Sequence, residues 1–172
     1  MFTGLSAFPL TPMDEQGVDE NAFTCLVQQL VAAKVDSIGA LGSTGSYAYL
    51  SRAERSRVAQ LAVEAAEDVP VMVSIGALRT RDVLLLAEDA QAVGVKALLL
   101  PPVSYQKLTQ DDVFSMYEMV SANVSIPLCV YDNPGTTHFE FTDELHGRIA
   151  ELPNVSSIKI PGVPEAPHLA RE

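Results

Sequence analysis

Lys159 is an amine at the end of a short apolar run, and its setting could support covalent chemistry. The run covers residues 154–160 and is closed by Pro161-Gly162. Because β-branched residues bounded by Pro and Gly are typical of a strand, we expect the side chain to enter a pocket at a strand end. Burial of a lysine disfavours its charged form, and the neutral amine attacks carbonyl carbons. The alternative is a lysine that reaches from the strand end into solvent.

Two hydroxyl residues lie between glycines in the stretch Gly42-Ser43-Thr44-Gly45-Ser46. Such a loop leaves backbone N–H groups free and adds side-chain donors beside them. A nest of this kind suits a small anion such as a carboxylate. The alternative is an ordinary glycine-rich turn between a strand and a helix.

A phenol ends another apolar run, at Tyr131, and is followed by Asp132-Asn133-Pro134-Gly135. Asn-Pro-Gly predicts a turn, and the residue before a proline favours an extended conformation. Tyr131 is therefore predicted at the last strand position, where its hydroxyl could shuttle protons. The alternative is a rim aromatic with a satisfied hydroxyl. We expect Asp132 to be a turn residue rather than a general base.

Together, the amine, the phenol and the anion cradle predict a Schiff-base site. The amine would condense with a 2-oxo acid whose carboxylate lies in the cradle. The phenol would move protons as the carbinolamine and the enamine form.

The chain has six short apolar runs, whose starts are 26 to 34 residues apart, and amphipathic segments lie between them. The runs cover residues 4–10, 37–41, 71–75, 97–100, 128–131 and 155–160. Several runs are continuously apolar, which is typical of parallel strands covered on both faces. Capping-box patterns at Ser51 to Glu54 and Thr109 to Asp112 predict the starts of two helices, an acidic start at Asp19-Glu20 predicts another, and two more are expected over 80–93 and 142–152.

Repeating βα units suit either a doubly wound sheet or a (β/α)8 TIM barrel. The first run is not followed by G-x-G-x-x-G, which the dinucleotide-binding form of the doubly wound sheet requires. Since a barrel typically takes about 250 residues, this 172-residue chain holds about six units. We predict an α/β fold, with residues 1–172 forming one partial TIM-barrel domain.

The composition excludes several classes of partner. The net charge is −11, from 22 acidic and 11 basic residues, which disfavours nucleic acid. No apolar stretch reaches the ~18–20 residues of a membrane span. The first residues lack the basic segment of a signal peptide. Cys25 and Cys129 lie in apolar runs and are predicted to be core thiols rather than a disulfide. We therefore expect a cytoplasmic protein without membrane or nucleic-acid partners.

Five motifs, in order along the chain, resemble the dihydrodipicolinate synthase / N-acetylneuraminate lyase family of pyruvate-dependent class I aldolases. They are the opening 4–12, Gly42-Ser43-Thr44-Gly45 with Leu50-Ser51, Pro101-Pro102 with Tyr105, Tyr131-Asp132-Asn133-Pro134, and Ile158-Lys159.

The resemblance implies a role for each matching residue. Lys159 would be the Schiff-base lysine, and no other cofactor would be needed. Tyr131 would donate and accept protons, with Ser43 as the hydroxyl of the relay. Ser43 and Thr44 would bind the carboxylate. Tyr105 is the candidate for a tyrosine that reaches into a neighbouring subunit, since the family forms homotetramers.

Departures from the family pattern concern the second substrate and the length. Thr136 stands where synthases have an arginine, Ile160 replaces an acid that often follows the lysine, and Ser46 replaces a glutamate. The last two barrel strands of the family have no counterpart. We expect either a fragment of a longer protein or a chain that closes by pairing with another copy.

Several alternatives remain open. One is a non-catalytic barrel fragment, and another is a hydro-lyase acting on a 2-oxo acid derived from a sugar acid. A metal-dependent barrel aldolase is disfavoured because His138, His146 and His168 form no convincing ligand cluster. A flavin- or phosphate-binding barrel has its signature after strands seven and eight, and nothing in this sequence favours it.

Overall fold

The computed structural model describes residues 2–162 of the chain. Six parallel strands lie side by side in the order in which they occur along the chain, and the sheet curls into part of a TIM barrel. A separate antiparallel hairpin over residues 13–18 precedes the first helix. The strands are β1 Ser6–Ala7, β2 Met13–Asp14, β3 Gly17–Val18, β4 Ser37–Ala40, β5 Val71–Ser74, β6 Ala97–Leu100, β7 Leu128–Tyr131 and β8 Val155–Lys159.

The sheet order is β1-β4-β5-β6-β7-β8, so the six predicted runs are confirmed as six parallel strands. Four of them, β4 to β7, are buried along their whole length. That burial explains why their sequences are continuously apolar instead of alternating.

Helices connect the strands and cover one face of the sheet. They are α1 Glu20–Ala32, α2 Arg52–Ala65, α3 Thr80–Ala92, α4 Gln110–Ser121, α5 Pro134–Thr137 and α6 Asp143–Ala150, with a short 3-10 helix over Tyr47–Tyr49. Both predicted capping boxes are present, at Ser51 with Glu54 and at Thr109 with Asp112. The side chain of Asp19 accepts from the N–H of Ala22 and so begins α1.

Apolar side chains form two clusters, one on each face of the sheet. The larger cluster fills the space between the strands and the helices. The smaller one lies on the inner face of the curled sheet and contains Met72, Ala97, Leu99, Cys129 and Tyr131, with Phe2 and Phe8 packed against it. Because successive side chains of a strand point to opposite faces, the strands β5, β6 and β7 each contribute to both clusters.

The prediction that Cys25 is a core thiol is wrong. The residue is exposed, whereas Cys129 is buried as predicted. The buried positions of α1 are Phe23 and Val27, four residues apart on one face. Cys25 lies midway between them and faces away, as the helical period requires. Both cysteines are free, in agreement with the prediction.

The sequence did not predict the β2–β3 hairpin or the two short helical segments, at Tyr47–Tyr49 and Pro134–Thr137. His168 lies outside the described residues. Within residues 2–162, no helix has both the length and the apolar character needed to cross a bilayer. In the same range, no group of three or more His, Cys, Asp and Glu side chains is arranged to hold a metal ion.

Candidate functional site

Lys159 and Tyr131 are cross-strand partners at the ends of β8 and β7. The Lys159 Nζ atom lies 4.8 Å from the centre of the Tyr131 ring. The backbone N–H of Asp132 donates to the carbonyl oxygen of Lys159 at 3.0 Å, so the ladder continues one residue beyond β7. Lys159 is half-buried. The amine is thus held at the carboxyl ends of the strands, the edge at which TIM barrels place their active sites.

A second aromatic ring approaches the amine from the opposite edge strand of the sheet. Phe8 follows β1, and the centre of its ring lies 5.1 Å from Lys159 Nζ. The strands β1 and β8 are the two ends of the six-stranded order, so this contact crosses the inner face of the curled sheet. Aromatic rings attract an ammonium group while excluding water from around it.

The phenol of Tyr131 is joined to groups on two loops. Its Oη atom lies 3.0 Å from Ser43 Oγ, with either hydroxyl able to donate. It also accepts a hydrogen bond from Asn133 Nδ2 at 3.1 Å. The structure therefore brings together Tyr131, Ser43 and Lys159, as the sequence predicted. Asn133 was predicted only as a turn residue, and its side-chain contact was missed.

The surroundings of Tyr131 favour its ionised form. Burial alone would raise the pKa of the phenol. The hydrogen bonds from Ser43 and Asn133, with the nearby charge of Lys159, outweigh burial and lower the pKa below its ordinary value of 10.0. A phenol of lowered pKa exchanges its proton more readily at moderate pH.

The loop after β4 carries the residues of the predicted cradle. Ser43 and Thr44 are exposed, and within residues 2–162 no acceptor is bonded to the backbone N–H of either. Leu41 and Ser46, on the two sides of the loop, have left-handed backbone conformations with φ of 57° and 55°. Left-handed backbone at a bulky buried residue such as Leu41 is strained, and strained loops of this kind occur at ligand sites.

Two further titratable groups lie beside the strand ends. Burial raises the pKa of the Cys129 thiol, which disfavours the thiolate. Burial also raises the pKa of Asp132, although His146 opposes the shift. The Asp132 carboxylate lies 3.3 Å from His146 Nε2 on α6. Cys129 is thereby disfavoured as a nucleophile, which leaves the amine of Lys159 as the nucleophile of this cluster.

Tyr105 lies apart from this cluster, in the loop after β6, and is 94% exposed. The predicted contact with a neighbouring subunit stays a prediction. The residues before it, Val103 and Ser104, line a cavity of about 320 Å³ that also touches Ser43. Tyr47 lines the same cavity and was missed by the sequence reasoning. The one signal in the sequence was that Tyr47 lies five residues after Gly42, close to the predicted loop.

The model of the Dihydrodipicolinate synthetase family matches residues 1–162. A 4-hydroxy-tetrahydrodipicolinate synthase of Phenylobacterium zucineum (strain HLK1) is 32% identical over 160 residues, which cover 92% of this chain and 54% of that protein.

Two solved structures are similar to the chain. A dihydrodipicolinate synthase from Agrobacterium tumefaciens str. C58 is 48% identical, with a TM-score of 0.93 over 99% of this chain and 59% of that one. A dihydrodipicolinate synthase from Acinetobacter baumannii, solved in complex with pyruvate, is 31% identical, with a TM-score of 0.86 over 93% of this chain and 56% of that one. The chain spans about half the length of the curated relatives it matches.

Proposed function

Because the chain belongs to the dihydrodipicolinate synthetase family, we propose that it is a lyase of the class I aldolase type, in which Lys159 forms a Schiff base with pyruvate or a related 2-oxo acid. The observation that carries the proposal is the connected set of Lys159, Tyr131 and Ser43. Its members come from three strand ends, and the amine, the phenol and the serine hydroxyl each lie beside the next. A relative of the same family was solved with pyruvate bound.

The first step is attack by the neutral Lys159 amine on the C2 carbonyl carbon of the 2-oxo acid. The C–N bond forms, and the carbonyl electrons move to the oxygen. One proton then leaves the nitrogen while the oxygen takes one, which gives the carbinolamine. Loss of that hydroxyl as water leaves the iminium. Tyr131 gives and recovers these protons, since its Oη is bonded to Ser43 Oγ at 3.0 Å.

The carboxylate of the substrate binds the loop after β4. The backbone N–H groups of Ser43 and Thr44 have no acceptor within the described residues, and the loop faces the same strand ends as the amine. The loop thereby holds the carboxylate of the substrate, and this orients the neighbouring carbonyl carbon toward Lys159. The iminium on Lys159 supplies the electron sink, so the proposed chemistry draws on no metal or separate cofactor.

The competing proposal is a non-catalytic barrel fragment that turns nothing over. The observation that supports it is that the chain spans about half the length of its relatives. The two proposals differ at the first chemical step, so one experiment separates them.

The test is intact-mass spectrometry after incubation of the 172-residue chain with pyruvate and sodium borohydride, which reduces an iminium to a stable amine. We expect one pyruvate-derived adduct on the parent and none on Lys159→Ala. Lys96→Ala is the matched control, because Lys96 precedes β6 at the opposite ends of the strands and is exposed. A folded parent that gives no adduct, or equal labelling of parent and Lys159→Ala, would overturn the proposal.

A further inference from the structure

Asn133 contacts the phenol of Tyr131 from the loop after β7. Its Nδ2 atom donates a hydrogen bond to Tyr131 Oη at 3.1 Å. A Cβ atom built on Gly135 would lie 3.5 Å from Asn133 Oδ1, so the amide oxygen faces the following turn while the amide nitrogen faces the phenol. Because an amide nitrogen donates and does not accept, the Tyr131 oxygen is the acceptor in this contact. Any proton on that oxygen therefore points away from Asn133.

Hydrogen bonds to its carbonyl group hold Asn133 in place. The carbonyl oxygen accepts from the N–H groups of Thr136 and Thr137, each at 2.9 Å, and from Thr137 Oγ1 at 3.0 Å. The residue also precedes Pro134, and the ring of a proline restricts the backbone of the residue before it. A donor fixed in this way needs no reorganisation when negative charge develops on the oxygen that it faces.

The residue before Asn133 is held on two sides. The backbone N–H of Asp132 donates to the carbonyl oxygen of Lys159 at 3.0 Å, on β8. The carboxylate of Asp132 lies 3.3 Å from His146 Nε2, on α6. The loop that carries Asn133 thus starts from a fixed point beside the amine, and the Asn133 side chain reaches back over the strand that it follows.

Three other ionisable groups lie near the phenol of Tyr131: Lys159 on β8, Tyr47 in the 3-10 helix and Cys129 on the same strand. Burial raises the pKa of Tyr47 and that of Cys129, which favours their neutral forms. Burial also raises the pKa of Tyr131, but its hydrogen bonds and the charge of Lys159 lower it by more. Tyr131 is therefore the one of these three acids that the site favours as an anion.

We propose that Asn133 is a positioning residue of the Schiff-base reaction: its amide keeps the Tyr131 oxygen as an acceptor, and the phenolate then takes the proton that the Lys159 ammonium must lose before it attacks. The inference rests on the proposed function and adds a residue to it. In this step an N–H bond of Lys159 breaks and the O–H bond of Tyr131 forms, which leaves a neutral amine and a neutral phenol. The phenol later returns the proton to the carbonyl oxygen of the substrate, and the phenolate again accepts from Asn133.

The test follows the rate at which the borohydride-trapped pyruvate adduct forms over a range of pH. Asn133→Leu has a similar size and no donor, and Asn133→Asp keeps the shape of the amide with a carboxylate that only accepts. Loss of the donor raises the pKa of Tyr131, so the ascending limb of the rate profile should move to higher pH in both variants. At neutral pH we expect the rate of Asn133→Leu to fall about tenfold or more, since a hydrogen bond to a charged group contributes at least about this factor.

Asp132→Asn is the matched control, because it changes the neighbouring side chain, whose carboxylate lies beside His146 on α6. Loss of a negative charge does not disfavour the phenolate, so the ascending limb of this variant should not move to higher pH. If the Asn133 variants react more slowly by the same factor at every pH, with the limb unmoved, Asn133 has a structural role only and the proposal is overturned.

Ultraviolet titration of the Tyr131 phenolate needs no pyruvate and separates the two proposals. A folded parent that traps no adduct overturns the proposed function. The effect of Asn133 on Tyr131 is then decided by this titration, with Tyr131→Phe identifying the curve. A higher pKa of Tyr131 in Asn133→Leu supports the positioning by Asn133, and an unchanged or lower pKa overturns it.

Discussion

The ring of Phe8 occupies the space in which a side chain at Gly39 would stand. A Cβ atom built on Gly39 would lie 2.2 Å from a ring carbon of Phe8. Gly39 is the third residue of β4, and Phe8 follows the neighbouring strand β1. This close packing holds the ring on the inner face of the sheet, where it lies 5.1 Å from the amine of Lys159.

Gly39→Ala should therefore destabilise the fold by about 1–3 kcal/mol, because the ring must leave its position or the strands must separate. Gly147→Ala is the matched control: Gly147 is inside α6 and a Cβ there meets nothing within 4 Å. That change should stabilise the chain by about 0.5–1 kcal/mol, since alanine is the better helix former. Urea denaturation of both variants gives the comparison. Equal stabilities would contradict the packing described for Phe8.

Tyr131→Phe should slow formation of the borohydride-trapped adduct by about 100-fold or more, because the proton carrier beside Lys159 is lost. The amine is retained, so the adduct should still accumulate at long times. The rate is followed by quenching samples with borohydride at intervals and weighing the intact chain by mass spectrometry. Circular dichroism of the variant verifies the fold. An unchanged rate would remove Tyr131 from the proposed relay.

Ser43→Ala should raise the pKa of Tyr131. The Ser43 hydrogen bond is the largest of the effects that lower this pKa and oppose burial, so its loss disfavours the phenolate. The titration is read from the ultraviolet absorbance of phenolate, and Tyr131→Phe identifies the curve among the five tyrosines. Ser46→Ala is the control, because Ser46 lines the neighbouring cavity without a bond to Tyr131. A shift of the same size in both variants would argue against the Ser43 contact.

Arg55→Lys should reduce the free energy of unfolding by about 2 kcal/mol, because a single ammonium cannot donate to both carbonyl groups in the geometry of the guanidinium fork. Arg57→Lys is the control from the same helix. Arg57 pairs with Glu20 at 2.7 Å but is exposed, so its replacement should have a much smaller effect. Both are measured by urea denaturation. Similar losses for the two variants would show that burial of Arg55 adds little.

The positions of the strands and of the main reactive groups could be predicted from the sequence. Tyr131 and Lys159 each stand at the end of an apolar run, and in a parallel sheet such ends meet at one edge. That argument alone placed them together, and the register confirms it. The capping boxes at Ser51 and Thr109 were readable because the bonds involved are local.

Other parts of the site depend on contacts that no local pattern encodes. The bond from Asn133 to Tyr131 depends on how a turn side chain folds back over its own strand. The contact of Arg55 with the Tyr47 ring joins α2 to the 3-10 helix, while the same guanidinium donates to the carbonyl oxygen of Ser74 in β5. The hairpin β2–β3 has strands of two residues each, too short for any periodicity to reveal.

The place of β8 at the end of the sheet order affects the local stability of the strand that carries Lys159. Within the described residues, β8 is paired along one side only, to β7. Strands with an unpaired side open locally at lower free energy than interior strands, and their amides exchange hydrogen for deuterium sooner. The strand that carries Lys159 should thus exchange faster than β4 to β6. A reduced pyruvate adduct that bridges β8 to the loop after β4 should slow that exchange, which links occupancy of the site to the local stability of the strand.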